Sequence, residues 1–229
     1  MSETRVIWGC PTYGPLEPDV VIGHRLAIMH ACRHTDVVWA GDCSPGGVKL
    51  STVDTARNRI VKEAINTDAD YVFWCDSDIV LPPFAVTNLL MAKKDFITGI
   101  YCQKIAPYYP VLAHYDPDGM RTPAGNMNWF IEWPENTIAP VDACGFGVVL
   151  TSTKMLRAME PNWFAFTHFS EDFTFCRRAA EAGFQLYVET SVLCHHMGER
   201  EAVSVETFKR NWKGGFLGPE VHPPDTSAA

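Results

Sequence analysis

Residues Tyr71 to Pro83 read Tyr-Val-Phe-Trp-Cys-Asp-Ser-Asp-Ile-Val-Leu-Pro-Pro. An unbroken apolar run from Tyr71 to Cys75 suits a central strand covered on both faces, and the paired prolines stop it because proline gives a sheet no N–H. Such a strand commits the chain to a layered α/β fold, in which ligands collect beyond the carboxyl ends of the strands. Asp76 and Asp78 stand at that end. Alternate residues of extended chain point the same way, so both carboxylates can face one side while Ser77 turns away. Hard oxygen donors so placed suit Mg²⁺ or Mn²⁺ bridging a substrate phosphate. The same residues equally suit an ordinary turn before Pro82.

The length of 229 residues fits one large domain. With 19 basic against 27 acidic residues, the chain carries no overall positive field for nucleic-acid phosphates. Eight dispersed cysteines form no Cys-x-x-Cys pair and read as reduced thiols. With no long apolar stretch at the N-terminus or elsewhere, a cytoplasmic protein without a membrane anchor is expected.

The elements alternate. A strand over Arg5 to Gly9, a helix over 20 to 33, a strand over Asp36 to Ala40 and a helix capped by Thr52 or Asp54 lead to the Tyr71 strand. That β-α-β-α-β order implies a parallel sheet with right-handed crossovers. A helix through Leu89 to Met91 and a strand over Phe96 to Tyr101 follow. Between 102 and 142 the pattern changes to proline-rich chain with short runs, Val111 to Tyr115 and Trp129 to Trp133, suited to antiparallel strands. A strand over Asp142 to Leu150, a helix capped by Thr153, a helix from Ser170 stopped by Gly183, strands over Gln185 to Glu189 and Val192 to His195, and a helix over Val203 to Trp212 complete the series.

Three features recur at strand ends in a fixed order: Asp76 with Asp78, the Ser170-Glu171-Asp172 helix start, and His195-His196 before Gly198. Together with the stretch Ser170 to Val188, which runs Glu-Asp, an Arg-bearing helix, Ala-Gly-Phe and a strand, they resemble the GT-A family of nucleotide-sugar glycosyltransferases in its compact bacterial or phage form. The resemblance covers roughly residues 5 to 200. It implies a Rossmann-like α/β fold: a mixed, mainly parallel sheet flanked by helices, with a small antiparallel element on the acceptor side. It also implies one domain over 1–217, divided into a nucleotide-binding half to about 101 and an acceptor-side half beyond it, then a flexible tail over 218–229.

The activity implied is metal-dependent transfer of a hexose from a UDP- or GDP-sugar to an acceptor hydroxyl. By that resemblance Asp78 binds Mn²⁺ or Mg²⁺ directly, Asp76 is shared between metal and ribose or sugar with Ser77 beside it, and His196 completes the ligands with His195 as rival. In an inverting enzyme Asp172 is the general base and Glu171 binds acceptor; in a retaining one the pair holds acceptor or donor instead. Pro11, Thr12, Tyr13 and Asp42 resemble the residues that cradle the base. Arg57, within Ala56-Arg57-Asn58, resembles an arginine facing the nucleotide. Gly145, Phe146 and Gly147 offer close backbone approach to the sugar, or mark a strand bulge. Trp129, Trp133, Trp163 and Phe164 form either a sugar-stacking platform or core. A glycan, metabolite, protein or modified DNA base all remain open as acceptor. The competing classes are a nucleotidyltransferase, whose Gly-rich Lys-containing N-terminal loop is missing here, and a non-catalytic carbohydrate-binding protein of the same fold.

Overall fold

The computed structural model of the chain describes residues 3–12, 14–44, 52–122, 125–161, 163–167, 170–198 and 202–212. The opening alternation is β1 (Thr4–Gly9), α1 (Pro18–His34), β2 (Val37–Asp42), α2 (Val53–Ala64) and β3 (Tyr71–Cys75). Next come β4 (Ile79–Val80), α3 (Ala85–Met91), β5 (Phe96–Ile100), the paired strands β6 (Leu112–Thr122) and β7 (Gly125–Trp129), then β8 (Ile138–Val141), β9 (Ala143–Cys144) and β10 (Val148–Ser152). The chain continues through α4 (Thr153–Ala158), α5 (Glu171–Glu181), β11 (Leu186–Leu193), β12 (His195–Met197), β13 (Ala202–Val203) and α6 (Val205–Asn211).

The main sheet has seven strands in the order β2-β1-β3-β10-β5-β11-β8. Strands β1, β2 and β3 run parallel, β10 is antiparallel to both β3 and β5, β11 is parallel to β5, and β8 is an antiparallel edge. The sheet is therefore mixed and mainly parallel, with helices on both faces. The two-residue period of β3 sorts its side chains accordingly. Phe73 and Cys75 pack with Ala27 and Ala31 of α1 and with Val86 and Leu89 of α3. Val72 and Trp74 pack with Ile60 and Ala64 of α2, Met155 of α4 and Phe175 of α5. With Val72, Phe73, Trp74 and Cys75 all at 0% exposure, β3 is the centre of two cores at once.

Two small sheets accompany it among the described residues, one of β13-β12-β4 and one of β7-β6-β9. The first holds the functional end of β3 in place. His196 pairs with Ile79 and His195 with Val80, and the Met197 N–H donates to the Asp78 carbonyl at 2.8 Å.

Some boundaries differ from the sequence expectation. The strand expected over Asp142 to Leu150 is two strands, broken at 145–147. The strands expected around 185–195 are one, β11, whose burial alternates without interruption from Leu186 to Leu193. Helix α4 is capped by Ser152, whose Oγ accepts from Met155 N at 3.1 Å, one residue before the expected Thr153. Helix α5 does end at Gly183, whose φ of 87° suits glycine. There Phe184 N–H reaches the Ala179 carbonyl at 3.0 Å and Gly183 N–H the Ala180 carbonyl at 2.9 Å, the double closure of a Schellman cap. The expected tail over 218–229 lies outside the described residues. Among the described residues no helix is long and apolar enough to cross a membrane.

Candidate functional site

The chain leaves extended geometry directly after Cys75. Ile79 N–H donates to the Asp76 carbonyl at 3.2 Å and closes a turn over Asp76 to Ile79. Within the turn the two carboxylates find different partners.

Asp76 turns inward. Both of its carboxylate oxygens accept from Arg57 Nη2, at 3.0 and 3.1 Å. Arg57 Nη1 donates in turn to Glu171 Oε1. Arg57 is 3% exposed and lies over the rings of Phe146 and Phe164 at 5.5 and 5.7 Å. Burial opposes its charge, but Asp76, Glu171 and Asp172 outweigh that and hold its pKa above the ordinary arginine range. Burial drives both Asp76 and Glu171 upward; Arg57 offsets part of this for each. In this geometry Asp76, expected to be shared between metal and ribose or sugar, and Arg57, expected to face the nucleotide, are bonded to each other, and Glu171, expected to bind acceptor, is 6% exposed.

Asp78 turns outward, where two cationic or metal-binding side chains meet it. Lys104 Nζ approaches Asp78 Oδ2 at 2.5 Å and His196 Nε2 lies 3.4 Å from the same oxygen. Partial burial works against the Asp78 charge, but the hydrogen bonds and charges of His196 and Lys104 outweigh it and hold the carboxyl at about 2. His196 Nδ1 lies 2.8 Å from the Cys102 carbonyl. A carbonyl only accepts, so Nδ1 carries a proton; Nε2 then donates to Asp78 when the ring is protonated and offers its lone pair to a cation when the ring is neutral. Tyr101 walls the imidazole edge-on at a centroid distance of 5.3 Å. His195 is exposed on the other side of the strand.

This donor pair fits a divalent cation. One carboxylate and one imidazole whose far nitrogen is fixed by a carbonyl are the first and second layers of many metal sites. Among the described residues no group of three or more His, Cys, Asp or Glu is gathered as a complete cage. Two protein donors suit a cation that takes its remaining ligands from substrate phosphates and water.

Asp172 lies in the first turn of α5, where a carboxylate also favours the positive end of the helix dipole. Its Oδ1 accepts from Ser170 Oγ and from Phe173 N–H, leaving Oδ2 without a hydrogen bond among the described residues. Ser77 is half-buried within the turn.

Gly145 and Gly147 serve packing. A Cβ on Gly145 would lie 2.0 Å from the Tyr101 hydroxyl, and one on Gly147 would lie 2.7 Å from the Tyr101 ring. The glycines thus admit Tyr101, whose hydroxyl accepts from Gly147 N–H at 3.2 Å, and Tyr101 in turn supports His196. Phe146 is 1% exposed among Trp74, Phe96, Phe164 and Phe175, so its side chain belongs to the core. Trp163 and Phe164 are likewise core, at 2% and 3% exposure. Asn58 clamps the Phe164 backbone with bonds of 2.8 and 3.1 Å.

A cavity of about 570 Å³ opens beside this turn, between the carboxyl ends of β1 and β2 and one side of α1. Trp8, Thr12, His24, Trp39, Asp42 and Ser44 are among its walls. Its size falls within the range of small-molecule sites. Cys10 links it to the aspartates: burial pushes that thiol up to about 11, and the charges of Asp76, Asp42 and Asp78 add to the rise. Of the expected base-cradle residues, Thr12 and Asp42 line the cavity, Pro11 is buried behind it, and Tyr13 lies outside the described residues. Sequence reasoning missed Lys104 and Tyr101. Neither sits in a motif, and only the packing of the chain after β5 reveals them.

No protein-family model matches the chain, and no curated protein sequence does. Solved structures do match in fold. A197 from STIV superposes with a TM-score of 0.57 at 18% identity, covering 89% of this chain and 92% of that one. An apo UDP-glucose pyrophosphorylase gives 0.52 at 9% identity, over 92% of this chain and 97% of that one. GalNAc-T7, solved with UDP, GalNAc and Mn²⁺, gives 0.51 at 9% identity, over 91% of this chain but only 47% of that one. At these identities the likeness establishes the fold, a Rossmann-like sheet shared with nucleotide-sugar enzymes.

Proposed function

We propose that the chain is a metal-dependent glycosyltransferase that moves a sugar from a UDP- or GDP-sugar to an acceptor hydroxyl. The observation that carries this reading is the meeting of Asp78, His196 and Lys104 at the carboxyl edge of the sheet, beside a cavity large enough for a nucleoside. The fold shared with GalNAc-T7 and with UDP-glucose pyrophosphorylase supports a nucleotide-sugar ligand.

In this reading the nucleobase enters the cavity, where Trp8 and Trp39 offer aromatic surface and Asp42 accepts from a ring N–H of uracil or guanine. The diphosphate then lies over Asp78, His196 and Lys104. A Mn²⁺ or Mg²⁺ ion held there by Asp78 and His196 would neutralise charge developing on the diphosphate. Lys104, freed from Asp78, supplies a second positive group for the same oxygens. Asp172 takes the proton of the acceptor hydroxyl through Oδ2 as that oxygen attacks the sugar C1. The bond from C1 to the diphosphate breaks, its electron pair leaves with the nucleotide, and configuration inverts. Asp76, Arg57 and Glu171 position the turn and the start of α5 relative to each other.

The test is incubation with Mn²⁺ and a panel of UDP- and GDP-sugars, following slow donor hydrolysis without added acceptor. Release of UDP or GDP from one donor, dependent on metal, is the expected result. A nucleotidyltransferase would instead release pyrophosphate from a nucleoside triphosphate and a sugar phosphate.

A further inference from the structure

A second cavity, of about 270 Å³, lies between the chain that follows β7 and helix α6. Its walls include Trp133, Trp212 and Phe208, with Glu132, Glu135 and Lys209 supplying charge. The two indoles are held from behind. Phe130 stacks on Trp133 at 6.2 Å and 26°, while Phe208 and Tyr109 contact Trp212 at 5.7 and 5.9 Å. Aromatic surface fixed in this way loses little rotamer freedom when a ligand docks.

We propose that this cavity binds a pyranose ring of the acceptor, and hence that the acceptor is a glycan or glycoside; the assignment to an acceptor rests on the glycosyl-transfer reading above. A pyranose has an apolar C–H face for the indoles and a rim of hydroxyls that donate to carboxylates and accept from an ammonium group. The cavity offers both complements. An aromatic pocket with carboxylates could in principle take a cation instead. Lys209 opposes that occupant and favours a neutral, hydroxyl-rich one. The wall of the cavity is also linked to the donor side through Tyr109. Tyr109, which backs Trp212, accepts through its carbonyl from Gln103 N–H at 2.9 Å and so closes the loop that carries Lys104.

Saturation-transfer NMR on the full chain, with methyl glycosides of glucose, galactose, mannose and N-acetylglucosamine as probes and no nucleotide present, tests this. At least one glycoside should receive saturation, the signal should be lost in Trp133→Ala and weakened in Glu135→Gln, and calorimetric UDP binding should be unchanged in both variants. Glu135 is exposed, so its variant remains informative should the tryptophan variant fail to fold. The inference is overturned if no glycoside receives saturation, if the signal survives both substitutions, or if choline binds in place of the glycosides. If neither UDP nor GDP binds while a glycoside does, the glycosyl-transfer reading fails and the sugar pocket stands.

Discussion

One guanidinium, that of Arg57, is buried between two carboxylates that belong to distant parts of the chain. Arg57→Met would leave Asp76 and Glu171 facing each other without compensation, a change expected to cost about 3–5 kcal/mol. Thermal or urea unfolding should show it. Arg57→Lys should recover little, since a single ammonium point cannot reproduce bonds to both partners. His24 makes a separate prediction. Burial lowers its pKa from 6.5 to about 4, and the hydrogen bond with the Ile79 carbonyl offsets only part of this. Between those values the unfolded chain binds a proton that the folded chain refuses, so folding is favoured by raising pH. The contribution, roughly 3 kcal/mol, is intact above pH 6.5 and lost as pH falls toward 4. Unfolding measured across that window should lose much of its pH slope in His24→Gln. At this scale the sequence revealed residue types better than their assignments. Asp78, His196 and Asp172 follow from local patterns in order along the chain, whereas the pairing of Arg57 with Asp76 and Glu171 depends on contacts 19 and 114 residues apart.

Pairing of a two-residue strand with another short one decides where the imidazole sits. Because His196 lies opposite Ile79, a slip of one residue would send its side chain to the other face and bring His195 to Asp78. The Gly145–Gly147 segment acts on the same group from behind, through Tyr101. Gly147→Ala places a methyl 2.7 Å from the Tyr101 ring and should cost about 1–3 kcal/mol by overpacking. Gly145→Ala instead meets the Tyr101 hydroxyl at 2.0 Å, so adding Tyr101→Phe should relieve it in part and leave Gly147→Ala unrelieved. Double-mutant unfolding measurements separate the two. The elements that sequence pattern located well are those with a sustained period, such as α1, α2 and β3. The Asp142 to Leu150 run was misleading because it is mostly apolar after Asp142, and apolarity does not report where backbone pairing stops. Asp76 and Asp78 were read as extended chain, but a turn closes from Asp76 to Ile79, and a turn has no two-residue alternation.

Across the whole molecule the fold brings Asp78 after β3, Lys104 after β5 and His196 of β12 together at one edge of the sheet. The separation of roles proposed along that edge gives a direct test. Asp172→Asn should keep nucleotide binding and lower transfer by about 10²–10⁴-fold, the usual range for a lost general base. The most direct measurement is Mn²⁺ binding followed by electron paramagnetic resonance, with and without UDP or GDP. Wild-type protein should hold Mn²⁺ more tightly when the nucleotide is present, and both Asp78→Asn and His196→Ala should abolish that gain. Retention of nucleotide-linked Mn²⁺ binding in both variants would contradict the account.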